Sequence, residues 1–229
     1  MLKSIKAALI ALVILTPPAT AAEFELSLYL GTQSVRGSNA SGALPDGTAF
    51  DADIDWEGNP FDAPIYYGGR AMWWQDNGIG FGIEGTHTKA IAPDAQAAAI
   101  GLDRFELSDG HNIFTANIMK RWPGAFNNGR FTPYVGGGIG IAVPHVDAIV
   151  SGSTNRTFGF EVTGPAVRGI AGIKYDFNDR WAIFTEYQFT WSDNDITIEA
   201  DPAVLGQPDG ELDTELLTHA VNVGISYSF

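Results

Sequence analysis

From Glu23 the chain alternates with period two. Phe24, Leu26, Leu28 and Leu30 share one face, and Glu25, Ser27 and Tyr29 share the other, which predicts a strand with one apolar side. The same pattern recurs at Ile79-Phe81-Ile83, around Phe114-Ala116-Ile118, and at Val135-Gly137-Ile139-Ile141-Val143. It returns over Val167 to Phe177, over Ile183 to Trp191, and finally at Val221, Val223, Ile225, Tyr227 and Phe229, where Asn222, Gly224, Ser226 and Ser228 occupy the opposite face. Together with Tyr66 to Gln75 these runs predict an all-β fold, an eight-stranded antiparallel transmembrane β-barrel small enough for side chains to fill its interior.

The connections alternate in length. Asp76-Asn77-Gly78, Pro123 to Gly129 and Asn178-Asp179 are brief, whereas Gln33 to Ala63, Ile91 to Asp103, Asp147 to Arg156 and Asp193 to Glu215 are long and polar. Short periplasmic turns and long extracellular loops have this asymmetry in outer-membrane barrels. Tyr67, Trp73, Trp74, Trp122, Trp181, Tyr187, Trp191 and Tyr227 fall mostly near strand ends and read as an interfacial girdle. If the apolar face meets lipid, Glu25, Arg70, Glu84, Arg168, Lys174, Glu186 and Gln188 point into the lumen and must pair there, because unpaired buried charge is costly. A secreted lipocalin-like barrel or β-sandwich is the soluble alternative, and it would turn these faces round.

Composition narrows the class. Of 229 residues, 45% are apolar and 17% charged, with 27 Gly and no Cys, so disordered, collagenous and disulfide-built proteins are excluded. Lys3 and Lys6 precede the nine-residue apolar run Ala7 to Leu15 and the small residues Ala19 to Ala22. That is the pattern of a secretory signal peptide over residues 1–22, leaving residues 23–229 as one barrel domain, with an N-terminal membrane anchor as the alternative. Loss of Lys3 and Lys6 takes 13 basic residues to 11 against 27 acids, a formal charge of -16 in place of -14, and nucleic acid is not an expected partner.

The sequence has no Gly-rich phosphate loop, His-Glu-x-x-His, Gly-x-Ser-x-Gly or Cys nucleophile, and no flavin or nicotinamide fingerprint. Any activity must be assembled from separate strands. The four histidines fall at the outer ends of predicted strands: His87 ends the third, His111 begins the fourth, His145 ends the fifth and His219 begins the eighth. A tight turn near residue 128 sets His111 opposite His145, close enough for a shared transition metal, with Asp109 or His87 as a third ligand. Alternation opposes this, since it turns His111 inward but His87 and His145 outward, unless a bulge at Pro144 redirects His145. The acidic loops, including Asp51-x-Asp53-x-Asp55, read as solvated surface, with Ca²⁺ or Mg²⁺ bridging to an anionic lipid as the alternative. Arg36, Lys89, Arg104 and Arg156 are candidates for direct anion contact.

The segments GGRAMWW (Gly68 to Trp74), GFGIEGTHTKA (Gly80 to Ala90), SDGHNIFTANIMKRWPG (Ser108 to Gly124), RFTPYVGGGIGIAVPHV (Arg130 to Val146) and VTGPAVRGIAGIKYDFNDRWAIFTEYQFTWSD (Val162 to Asp193) resemble the outer-membrane lipid A oxidases of rhizobia and other alphaproteobacteria. From Gly169 to Phe229 the chain is equally similar to OmpA-type and Opa-type barrels, so that part specifies fold alone. Ser-Asp-Gly-His-Asn and Pro-His-Val are the more particular pieces, and they carry Asp109, His111 and His145. The resemblance implies a Gram-negative outer-membrane enzyme that uses molecular oxygen to convert the proximal glucosamine of 1-dephosphorylated lipid A, the anchor of lipopolysaccharide, to 2-aminogluconate, releasing hydrogen peroxide. The expected partners are lipid A, oxygen and the barrel-assembly machinery that receives the strand ending in Phe229. A non-enzymatic structural or adhesive barrel and a lipid A deacylase are the alternatives.

Overall fold

Residues with apolar and polar side chains in strict alternation can bury both faces only if the sheet closes between two different media, lipid outside and a packed lumen inside. The computed structural model, which describes residues 23–126 and 129–229, has that form; the expected signal peptide lies outside the described residues. Its strands are β1 (Glu23–Arg36), β2 (Ser38–Ala43), β3 (Ala49–Ile54), β4 (Tyr67–Trp74), β5 (Ile79–Ile91), β6 (Leu102–Arg121), β7 (Phe131–Val150), β8 (Arg156–Phe160), β9 (Gly164–Asp176), β10 (Trp181–Ile198) and β11 (Gly210–Ser228), with a short helix α1 (Asp94–Ala99) between β5 and β6.

One antiparallel circuit, β1-β4-β5-β6-β7-β9-β10-β11, closes where β1 pairs with β11 from Glu25↔Ser228 to Arg36↔Leu217. These are the eight expected barrel strands. The other three belong to the extracellular end, where the hairpin β2–β3 adds to the edge of β11 and β8 adds to β7. No helix among the described residues is long and apolar enough to cross a membrane; strands make the crossing.

Within the crossing the faces are as the alternation predicts. Leu28 is 67% exposed and Ile139 71%, whereas Glu25, Ser27 and Tyr29 are buried. Trp73, Trp122 and Trp181 mark one edge of this apolar band, and Tyr67 and Tyr187 the other. Trp74 is a correction: it lies inside the lumen under the guanidinium of Arg121, 4.5 Å from the ring centroid, because it follows Trp73 and therefore takes the opposite face.

The lumen is filled in layers. At mid-height Arg70 Nη2 stands 2.8 Å from Glu186 Oε2, Arg70 Nη1 3.5 Å from Glu84 Oε2, and Arg168 Nη1 3.1 Å from Glu84 Oε1. Tyr29 and Asn117 donate to Glu84, Tyr134 donates to Glu186, and Gln188 donates to both carboxylates. Lys174 pairs with Glu25 at 2.7 Å nearer the turns. Every one of the seven inward groups named from sequence is buried. The large inward aromatics fit because glycines face them: a Cβ at Gly68 would meet the Tyr29 ring at 2.2 Å, and one at Gly172 the Tyr134 ring at 2.5 Å.

Above the band the pattern inverts. Ile196, Ile198, Leu212 and Leu216 turn inward and pack with Ile54, Trp56, Leu102, Phe105 and Leu107 as an apolar plug, while Asp193, Asp195, Glu211 and Asp213 face out. The stretches expected as long polar loops are therefore largely strand: β10 and β11 pair without a break to Ile198↔Gly210, and β7 runs on to Val150. Outside the bilayer water is the external medium, so the apolar side chains must face the interior there.

Candidate functional site

The expected convergence of His111 and His145 does not form. In the β6–β7 ladder His111 stands across from Pro144, so neighbouring residues of β7 take opposite faces and His145 points outward. His111 points into the lumen. Its Nε2 lies 3.2 Å from Asn194 Oδ1 and 3.3 Å from Ser192 Oγ, and Nδ1 has no partner among the described residues. This ring lies above the apolar band, which begins on β6 at Phe114, and burial lowers its pKa to about 4, so it is a neutral core imidazole at pH 7. The wall of the barrel separates it from His87 and His145.

What the fold does bring together is His87, Asp109 and His145, all on the outer wall of β5, β6 and β7. The cause is a bulge. Between the pairs Glu106↔Asp147 and His111↔Pro144, the four residues Leu107 to Gly110 of β6 face only Val146 and His145 of β7, and Gly110 adopts φ 127°. The excess pushes Asp109 out of the alternation, onto the face opposite to His111, where its Oδ2 lies 3.6 Å from His145 Nδ1. His145 is held edge-on by Phe158 and Phe160 of β8, at 4.4 and 4.8 Å between ring centroids. His87 stacks on Tyr67 at 5.1 Å, and its Nδ1 lies 3.1 Å from Asn112 Oδ1, leaving Nε2 without a partner among the described residues. Burial depresses the pKa of His87, with Asn112 and Asp109 acting against the shift.

A basic and acidic cluster adjoins this row. Asp147 is buried between Arg104 and Arg156, with Arg104 Nε at 2.5 Å and Arg156 Nε at 2.6 Å, and Arg104 also meets Glu106 at 2.9 Å. The carboxyl of Asp147 is pulled below the usual range by these partners against its desolvation. Lys89 is buried and donates to the Asp62 carbonyl, and so is not a free anion contact. His219 also faces outward, 2.6 Å from Tyr187 Oη, away from the other histidines on β11.

The donor atoms of His87, His111, His145 and Asp109 supply no three-ligand metal set. Among the described residues the group whose ligand atoms all lie within 4.8 Å is Asp195, Glu211 and Asp213, exposed on the extended β10–β11 hairpin. Asp51 and Asp53 lie on β3, and Asp51 accepts from Asn39. Sequence reasoning missed the aromatic clamp of Phe158 and Phe160 and the partners Asn112 and Asn194. The available signal was Gly110 inside a strand pattern, which marks a bulge.

The family model described as outer membrane protein beta-barrel domain matches residues 7–229. No curated protein matches the chain. Among solved structures, the outer membrane protein OprG from Pseudomonas aeruginosa is similar with a TM-score of 0.54 at 13% identity, over 91% of this chain and 96% of that one. Neisserial surface protein A is similar with a TM-score of 0.49 at 12% identity, over 90% of this chain and 97% of that one. Likeness at this level of identity speaks to the fold alone. With closed strands, a lipid-facing band and this match over nearly its whole length, the chain belongs to the outer membrane protein beta-barrel family and resides in the bacterial outer membrane.

Proposed function

We propose that the protein modifies lipid A from the side, as an oxygen-dependent oxidase of the proximal glucosamine, using the outer-wall pair His145 and Asp109 with His87 beside them. The observation that carries this reading is placement: the three groups stand on the outer side of the wall just above the apolar band, at the height of lipid headgroups, instead of lining the lumen, with Asp109 exposed and the imidazoles of His87 and His145 covered by Tyr67 and by Phe158 and Phe160. The resemblance of Ser108 to Gly124 and Arg130 to Val146 to lipid A oxidases supports the same residues, with His111 removed from the set.

The reaction oxidises a hemiacetal. His145 accepts the proton of the C1 hydroxyl, oriented by Asp109. Two electrons and the C1 hydrogen pass to O₂, the proton follows, and the products are the lactone and H₂O₂; water then opens the lactone to 2-aminogluconate. The imidazole and carboxylate donors do not close a metal set, so no step is routed through a metal. That same fact favours the second reading, a non-enzymatic barrel of the OmpA or Opa kind.

Mass spectrometry of lipid A from a host offering the 1-dephosphorylated form separates the readings. The oxidase predicts a gain of one oxygen atom with the wild-type chain, lost in His145→Ala and in Asp109→Asn. Loss of an acyl chain would indicate a deacylase. No change, with a barrel shown to be folded by heat-modifiable gel mobility, would overturn the enzyme reading.

A further inference from the structure

The lipid-facing wall is not uniformly covered. Two adjacent rows of the ladder run obliquely around it. In the first, Leu28, Gly69, Gly85 and Phe114 are successive partners on β1, β4, β5 and β6. In the second, two residues further from the rim, Ala71, Ile83, Ala116 and Ile139 are successive partners on β4, β5, β6 and β7. Glycine beside glycine and an alanine at either side of Ile83 leave a recess where the flanking wall carries Leu28, Phe114 and Ile139. The recess is part of an almost wholly apolar depression of the wall that continues past Ile139 to Val167 on β9 and past Leu28 to Ile225 on β11.

Nothing in the backbone requires those glycines. Neither Gly69 nor Gly85 has a positive φ; a Cβ at Gly69 would meet Leu28 Cδ2 at 3.1 Å and the Ser27 carbonyl oxygen at an ordinary 3.5 Å, and one at Gly85 the Phe114 ring at 3.2 Å. Their effect is to keep the floor of the groove low. Two residues nearer the rim along the same strands, about 7 Å away, lies the row Tyr67, His87, Asn112. Its polar end is therefore continuous with the outer-wall site.

We propose that this groove seats one acyl chain of the lipid A molecule whose headgroup meets His145 and Asp109, an inference that rests on the lateral reading of that site. A saturated chain laid against a glycine floor between aliphatic and aromatic walls gains dispersion contacts on three sides, whereas a chain on the ordinary wall gains them on one. Seating the chain fixes the height and azimuth of the attached sugar, so the groove acts as the positioning element for the reacting headgroup.

The test uses the full-length barrel in vesicles with lipid A bearing a diazirine in an acyl chain, and phosphatidylethanolamine carrying the same label as comparison. Crosslinks from the lipid A probe are expected to concentrate in peptides of β4, β5 and β6, and to lose that concentration in Ala71→Leu with Ala116→Leu, which raises the floor at outward apolar positions. Val223→Leu, an outward change on β11 away from both rows, should crosslink as wild type does. Labelling spread evenly around the barrel, or identical for the two probes, would overturn the proposal. Concentrated labelling with chemically unchanged lipid A would leave the groove standing and remove the oxidase.

Discussion

Asp109 reaches His145 because β6 is two residues too long for β7 at that height, so the carboxylate leaves the strand alternation and stands 3.6 Å from the Nδ1 of an outward imidazole. Without that excess, Asp109 would share the face of His111 and look into the lumen. The bulge thus builds the outer-wall site.

Deleting the two-residue excess is a sharper probe than truncating a side chain. Removal of Leu107 and Ser108 together should close the bulge, return Asp109 to the face of His111 and away from His145, and lower lipid A oxidation by about 10²-fold, the low end for loss of general-base catalysis. His111→Asn should spare most activity, because it alters a group behind the barrel wall. If His111→Asn alone abolishes oxidation in a folded barrel, the outward assignment is wrong.

The mid-lumen network is expected to behave as a unit. Glu84 neutralises Arg70 and Arg168 and accepts from Tyr29, Gln188 and Asn117. Glu84→Ala leaves two buried guanidiniums short of charge and should cost about 3–5 kcal/mol in urea unfolding from detergent or vesicles. A cost below about 1 kcal/mol would mean that water enters the lumen and screens the pair.

Two separate layers close the bore, the charged network and the apolar plug formed by residues such as Ile54, Trp56, Phe105 and Leu212. Planar bilayers containing the purified protein should show no stepwise ionic current. Regular open-channel steps would contradict the packed lumen.

On the extracellular hairpin, like charges raise the pKa of Glu211, chiefly through Asp195, and that of Asp213, chiefly through desolvation with Asp195 and Asp193 adding to it. A raised folded-state pKa means that the folded hairpin binds protons more tightly than the unfolded chain. Its stability therefore rises as pH falls through that range and is reduced above it. Proteolytic nicking between Ile198 and Gly210 should slow as pH falls from neutrality through the range in which these carboxyls take up protons, and Asp213→Asn should reproduce the slowing at pH 7. Faster nicking at the lower pH would show that other carboxylates dominate.

The strands were legible wherever period-two alternation met a single external medium. Leu26, Leu28 and Leu30 outward with Glu25, Ser27 and Tyr29 inward followed from pattern alone, as did the pairing of buried acids and bases. The upper halves of β10 and β11 were misread as loop. Asp193, Asp195 and Glu211 look like solvated surface in sequence, and the alternation of Ile196, Ile198, Leu212 and Leu216 between them reports a face of opposite sense. A pattern whose polarity reverses partway along one strand is read correctly only when the level of the membrane surface is known.

Barrel class, the lipid-facing side of each crossing strand and the rim position of the candidate histidines can all be read from the residue order, because they depend on local periodicity and on the position of residues within their own strands. Which rim groups meet is settled by the pairing of strands in the folded barrel. That outcome turns on the register between β6 and β7, where two extra residues move Asp109 through the wall to His145 and leave His111 behind, bonded to Asn194. Register is a sum over a whole ladder of paired residues, and no single strand carries it.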